Sequence, residues 1–136
     1  MPPSPRVTHV LETALYVDDL DRARDFYRDI LGLHLHAELP GRHAFFHCGN
    51  SMVLLFNPAQ TEKPEPVLSL PTHGSRGPGH IAWRVTPEEM DAWRAALPAR
   101  GVAIKKEHTW PSGGRSLYFR DPAGNSLELA TAAVWA

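Results

Sequence analysis

The sequence predicts an α+β fold built from two tandem βαβββ modules, and three observations carry that prediction. Two stretches about 75 residues apart echo each other: Cys48-Gly49-Asn50-Ser51-Met52-Val53-Leu54 and Ala123-Gly124-Asn125-Ser126-Leu127-Glu128-Leu129. A shared turn running into apolar residues marks a unit used twice. Each half also opens with a β-prone run that leads straight into a capped helix. Three short strand-like runs, bounded by turn residues, then follow each helix.

The elements follow in order. Residues 1–6 form a proline-rich tail. Residues 11–17 read as a strand, and Asp18-Asp19 supplies an N-cap for a helix over 20–31. Leu20, Ala23, Phe26-Tyr27 and Ile30-Leu31 recur at three- and four-residue steps and give that helix one buried face. Gly32 ends it. Strands are expected over 33–38, 43–48 and 51–56, with Gly49-Asn50 as a tight turn between the last two. The segment 57–79, rich in Pro, Gly, Ser and Thr, reads as a linker or binding loop. Its length asks for a function or for flexibility. The second half repeats the plan: a strand over 80–85, a helix from Thr86-Pro87-Glu88-Glu89 to about residue 99, and strands near 102–107, 115–120 and 126–130. The whole chain, 1–136, is thus one domain, with module 1 at about 8–57, a linker at about 58–78 and module 2 at about 79–131.

Composition sets the bounds. Hydrophobic content of 43% and charged content of 21% suit an ordinary globular protein. A net charge of −1 gives no electrostatic footprint for nucleic acid or an anionic membrane. No apolar run approaches the roughly 20 residues of a membrane span, and the N-terminus lacks a signal-peptide core. The single cysteine, Cys48, excludes an intrachain disulfide framework and fits a reducing cytoplasm, where a small buried apolar role is expected for it.

Putting the halves in register exposes chemistry that no contiguous motif shows. The strand–helix junctions pair Glu12-Thr13-Ala14-Leu15-Tyr16-Val17 with His80-Ile81-Ala82-Trp83-Arg84-Val85. The Gly-Asn-Ser overlay pairs Val53 with Glu128. Period two then sets Glu12, His80 and Glu128 on the strand faces opposite the helices. Two carboxylates and one imidazole suit a divalent Mn, Fe, Ni, Co or Zn ion and leave positions open for water or substrate. The competing reading is an acidic pair at solvated strand ends, with His80 satisfied by a carbonyl.

At these residues the chain resembles the vicinal oxygen chelate superfamily, which includes glyoxalase I, fosfomycin- and bleomycin-resistance proteins and extradiol dioxygenases. The matching motifs are Val17-Asp18-Asp19-Leu20-Asp21-Arg22-Ala23-Arg24-Asp25-Phe26-Tyr27 running into Leu31-Gly32-Leu33, then Gly79-His80-Ile81-Ala82, then Phe119-Arg120-Asp121-Pro122-Ala123-Gly124-Asn125-Ser126-Leu127-Glu128-Leu129. The resemblance implies a cupped, mostly antiparallel mixed sheet with helices on its outer face, closed around one divalent metal ion. His80 and Glu128 match the family's second-module ligands. Glu12 stands where many relatives place histidine, and the acidic fourth ligand of glyoxalase I falls on Val53, leaving three protein ligands plus solvent. His9 lies an odd number of residues from Glu12 and points to the other face.

The pocket face is expected to draw on Tyr16, Phe45, His47, Arg84, Trp110, Arg115 and Phe119 as substrate-binding residues, together with Leu55 and Leu117. Such a mixture of aromatics and arginine suits an aromatic or carbonyl-bearing anion, with Arg115 placed for a carboxylate or phosphonate. Two functions compete. In one, a metal-dependent lyase, isomerase or dioxygenase binds a small oxygen-chelating substrate, with Glu12 or Glu128 moving the proton as catalytic carboxylate. In the other, a metal-free protein sequesters a small molecule or antibiotic, as bleomycin-resistance proteins do. The resemblance further implies a homodimer, in which the cup is built within one chain or exchanged between two.

Overall fold

A computed structural model describes residues 3–136; Met1 and Pro2 of the proline-rich tail lie outside the described residues. The elements run β1 (Glu12–Tyr16), α1 (Leu20–Asp25, continued by a wider π-helical turn at Phe26–Ile30), β2 (His34–Leu39), β3 (His43–Cys48) and β4 (Ser51–Phe56). After a short α2 (Pro58–Thr61) come β5 (His80–Arg84), α3 (Pro87–Ala99), β6 (Lys106–Thr109), β7 (Arg115–Arg120) and β8 (Ser126–Ala130). A 3-10 turn at Ala132–Trp135 closes the chain. Both modules are therefore βαβββ. The last strand of each lies between its first and third strands, giving two four-stranded sheets of order β1-β4-β3-β2 and β5-β8-β7-β6. Among the described residues only β1–β4 and β5–β8 are parallel pairs.

Local chemistry explains where the elements start. The Asp19 carboxylate accepts from the Arg22 amide at 3.1 Å and caps α1. At α3 the Thr86 hydroxyl accepts from the Glu89 amide while the Glu89 carboxylate accepts from the Thr86 amide, a reciprocal capping box with Pro87 behind it. The π turn widens α1, the Leu31 amide reaching back to the Phe26 carbonyl at 3.3 Å. Two elements depart from expectation. The strand expected over 102–107 begins only at Lys106, because Val102 and Ile104 are drawn against the core before pairing with β7 starts. The linker contains α2, capped by Asn57.

One apolar core joins the modules. Leu15, Val17, Phe46, Val53 and Leu55 from the first sheet meet Leu117, Phe119, Leu127 and Leu129 from the second, with Tyr27 and Met90 from the helices. The α1 segment lies between the sheets: Phe26 packs on Phe119, and Tyr27 packs on both Phe46 and Trp83. The other face of each sheet looks away from this shared interior.

The strand registers revise the overlay of the two turns. Glu12 pairs with Met52, whereas its counterpart His80 pairs with Ser126. Met52 is therefore equivalent to Ser126, and Leu54, not Val53, to Glu128. The offset comes from the turns. Gly49-Asn50 alone joins β3 to β4, with Gly49 at φ +55°, while residues 121–125 intervene between Arg120 and Ser126. A shift of one residue exchanges strand faces. Val53, 2% exposed, accordingly points into the core, and Leu54 takes the open face.

That longer turn is the polar hub of the molecule. The Asp121 carboxylate accepts from the amides of Ala123 and Asn125 and from the Asn125 side chain, all at 2.9–3.0 Å. It also accepts the Tyr27 hydroxyl at 2.8 Å, across 94 residues of chain. Asn125 in turn donates to the Tyr16 carbonyl at 3.1 Å and accepts from the Gly79 amide at 2.7 Å. Burial, then the Asp121 charge, pushes the Tyr27 phenol far above its ordinary range and keeps it a donor.

Candidate functional site

Sheet alternation fixes what each open face carries. In module 2, His80 and Ala82 of β5, Tyr118 of β7 and Glu128 and Ala130 of β8 share that face and line a cavity of about 500 Å³. In module 1, Glu12 of β1, Phe45 of β3 and Met52, Leu54 and Phe56 of β4 line a second cavity of about 490 Å³.

In module 2 an imidazole and a carboxylate meet at the cavity. His80 Nε2 lies 3.3 Å from Glu128 Oε1, and His80 Nδ1 lies 2.9 Å from the Ser126 carbonyl. A carbonyl only accepts, so Nδ1 carries a proton and Nε2 is the atom turned toward Glu128. A proton on Nε2 makes this contact an ion pair with Oε1, and in the neutral ring Nε2 and Oε1 face each other as two lone pairs between which a cation can sit. Their 3.3 Å separation also suits neighbouring ligand atoms on an ion about 2.1 Å from each. Orienting the ring through its second nitrogen is the usual support for a metal-bound histidine. The Glu128 carboxylate is 9% exposed, and the Tyr118 phenol beside it is pushed upward by burial and by the Glu128 charge, so it stays protonated as a donor. The donor pair therefore fits a divalent first-row ion, with positions to spare.

Glu12 does not complete the set within one chain. Among the described residues no three His, Cys, Asp or Glu side chains are grouped to hold a metal, and Glu12 lines the other cavity. The expected trio thus divides into a pair on one module and a single carboxylate on the other, because each module keeps its own sheet and turns its open face away from the common core.

The expected substrate-binding residues divide likewise. Trp110 lines the His80–Glu128 cavity, its indole N–H donating to the Ser116 hydroxyl at 2.8 Å, and Arg84 borders an adjoining hollow. Phe45 lines the Glu12 cavity. Tyr16 contacts His73, 2.6 Å from hydroxyl to Nδ1, and His47 contacts His36 at 2.9 Å.

Phe119 and Arg115 are corrections. Phe119 is 1% exposed in the core, and Arg115, on the same side of β7, reaches α3 and pairs with Asp91 at 2.8 Å. That guanidinium holds the Asp91 carboxyl below its usual range. Leu55 and Leu117 are core residues as well. The alternate β7 position, Tyr118, supplies the cavity instead, opposite Glu128 in the ladder. Val134 and Trp135 of the C-terminal turn also line it, and they lie beyond the repeat that guides the sequence reading. Cys48 is half-buried against the core, and burial raises its thiol out of nucleophile range.

With this geometry in hand, comparison with known proteins places the chain in a class. Residues 6–129 match the profile of the glyoxalase/bleomycin resistance protein/dioxygenase superfamily, and the chain belongs to that superfamily. It is similar to the crystal structure of lactoylglutathione lyase from Agrobacterium tumefaciens, with 41% identity, a TM-score of 0.91 and coverage of 100% of this chain and 99% of that one. Glutathione transferase FosA of Serratia marcescens is 34% identical over 115 residues, 85% of this chain and 74% of that protein. The fosfomycin resistance protein FosX of Listeria monocytogenes shares the fold at 23% identity and a TM-score of 0.69, over 93% of this chain and 95% of that one. Among the described residues no helix is long and apolar enough to cross a membrane.

Proposed function

We propose that the chain is a divalent-metal-dependent enzyme acting on a small oxygen-chelating substrate, with its metal held between two copies. His80 and Glu128 of one subunit supply one side of the site, and Glu12 of the partner subunit supplies the other. The observation that carries this is the 3.3 Å approach of His80 Nε2 to Glu128 Oε1, with Nδ1 already committed to a carbonyl. Two further features support the shared arrangement. Glu12 stands on an open sheet face of its own module, and Val7, Val10 and Leu11 of the preceding segment are 70% exposed or more. Apolar residues left so open beside an incomplete site suit pairing with a second copy.

The bound ion would supply Lewis-acid polarisation of a substrate oxygen. The chain's own groups do the rest. The Ser126 carbonyl holds the His80 ring in one orientation, and Tyr118 offers a hydroxyl donor beside Glu128. A carboxylate, Glu12 in first place because it is exposed on its strand while Glu128 is buried, accepts the substrate proton. The names of the similar proteins, a lactoylglutathione lyase and a glutathione transferase, support lyase, isomerase or thiol-transfer chemistry before ring cleavage.

A mixed dimer of one Glu12→Ala chain and one Glu128→Ala chain tests the proposal by metal analysis. Shared sites leave one intact site per mixed dimer, because both substitutions fall in the same site. Sites within single chains leave none. Wild-type protein purified without chelator and free of stoichiometric metal overturns the reading altogether.

A further inference from the structure

We propose that Trp110 and Trp135 form a clamp at the mouth of the His80–Glu128 cavity, and that it selects substrates carrying a flat apolar group, an aromatic ring above all, next to their chelating oxygens. The proposal rests on the metal reading above and adds the substrate class. It starts from the lining of the cavity. His80, Glu128 and the Tyr118 hydroxyl gather the polar atoms, whereas Ala82, Ala130, Val134 and the two tryptophans make the remainder apolar. Among the described residues no lysine or arginine lines it, so a dianionic group such as a phosphonate finds no countercharge from this module. An oxygen-bearing end fits at His80 and Glu128, with an apolar body extending outward.

The walls are built rather than incidental. Trp110 is held by its N–H bond to Ser116 and by an edge-on contact with His108, 4.5 Å between ring centres. Trp135 stands 92% exposed at the rim on a backbone that is firmly tied. The Ser112 hydroxyl donates to the Ala133 carbonyl at 2.7 Å, the Arg115 amide to the Thr131 hydroxyl at 2.9 Å, and the Thr131 amide to the Arg115 carbonyl at 3.0 Å. These bonds weld the β6–β7 loop to the C-terminal turn, so one unit carries both indoles. Gly114 permits the close approach, because a Cβ there would lie 2.2 Å from the Val134 amide nitrogen. A fixed backbone presenting an uncovered indole beside a cavity is arranged to gain contact when a flat ligand arrives.

Benzohydroxamate and acetohydroxamate serve as matched probes. Both chelate divalent ions through two oxygens and differ in phenyl against methyl. Manganese-loaded wild-type protein is expected to bind benzohydroxamate at least about tenfold tighter, with quenching of tryptophan fluorescence. Trp110→Ala, Trp135→Ala and Gly114→Ala should each bring that ratio toward one with metal content retained, and Trp135→Phe should restore most of it. Equal affinities in the wild type, or a preference unchanged in both tryptophan-to-alanine variants, overturn the clamp while the metal reading stands. A Trp135→Ala change that weakens dimerisation but not the ratio assigns Trp135 to the subunit interface and likewise overturns it. Failure of both hydroxamates to bind overturns the metal reading. In that case 2-naphthol binding to chelator-treated protein, if lost in the tryptophan variants, upholds the clamp, and no such binding overturns both.

Discussion

At the place in β1 that corresponds to His80 of β5 stands Glu12, and opposite Glu128 of β8 stands Leu54 of β4. Strand order, parallel pairing and helix placement are the same in both modules, yet their open faces differ in kind. Module 2 brings an imidazole and a carboxylate within 3.3 Å and surrounds them with small and aromatic residues. Module 1 carries Glu12 beside an apolar floor of Phe45, Leu54 and Phe56, with Arg42, Lys63, Glu65 and His73 around the same cavity. The backbone is the repeated part, and the function is in the departures from the repeat. Among the described residues neither face groups three His, Cys, Asp or Glu side chains to hold a metal.

The sharpest way to break this comparison is to move a charge across the one-residue offset between the halves. Val53→Glu buries a carboxylate in the shared core and should cost more than about 4 kcal/mol, enough to unfold a marginal domain. Leu54→Glu puts the same group on the cavity side near Arg42 at a position 8% exposed, and should cost about 2–3 kcal/mol, less than Val53→Glu. Urea melts of the two variants decide, and a tolerated Val53→Glu would mean the register is wrong. Next in size is Phe119→Ala, expected to remove about 3–5 kcal/mol by opening a cavity between the modules. Its metal affinity should stay at the wild-type value, and a loss of metal without loss of stability would return Phe119 to the site. Smallest is Tyr27→Phe, which strips one hydrogen bond from buried Asp121 and should cost about 1–3 kcal/mol. Thermal or urea unfolding should remain a single transition, because the apolar contacts joining the halves persist.

Much of this was legible in the sequence. The capped helices, the paired modules and the faces of β1, β5 and β8 follow from residues whose polarity alternates cleanly, as in Leu127-Glu128-Leu129. The face of β7 was not legible, because Leu117, Tyr118 and Phe119 are consecutive apolar or aromatic residues that fit either parity. Only the pairing of Tyr118 with Glu128 and of Leu117 with Leu129 settles it. The signal was present in the ladder partner rather than in the strand itself. The Val53 overlay misled for a related reason: identical Gly-Asn-Ser letters sit in turns of different length, and strand register follows loop geometry, not letters. The role of Val134 and Trp135 had no local signal at all, since a short terminal segment gains meaning only from the loop it is bonded to.

The bonds that leave Asp121 and Asn125 for Tyr27, Tyr16 and Gly79 carry one more consequence. They make each module the other's missing solvent. Alone, the first module would face water with the inner surface of its helix, and the second would hold a buried carboxylate with one partner fewer. The doubled unit shares one apolar core, although its sequence reads as two copies, and a half-length version of this chain would leave its share of that core facing water.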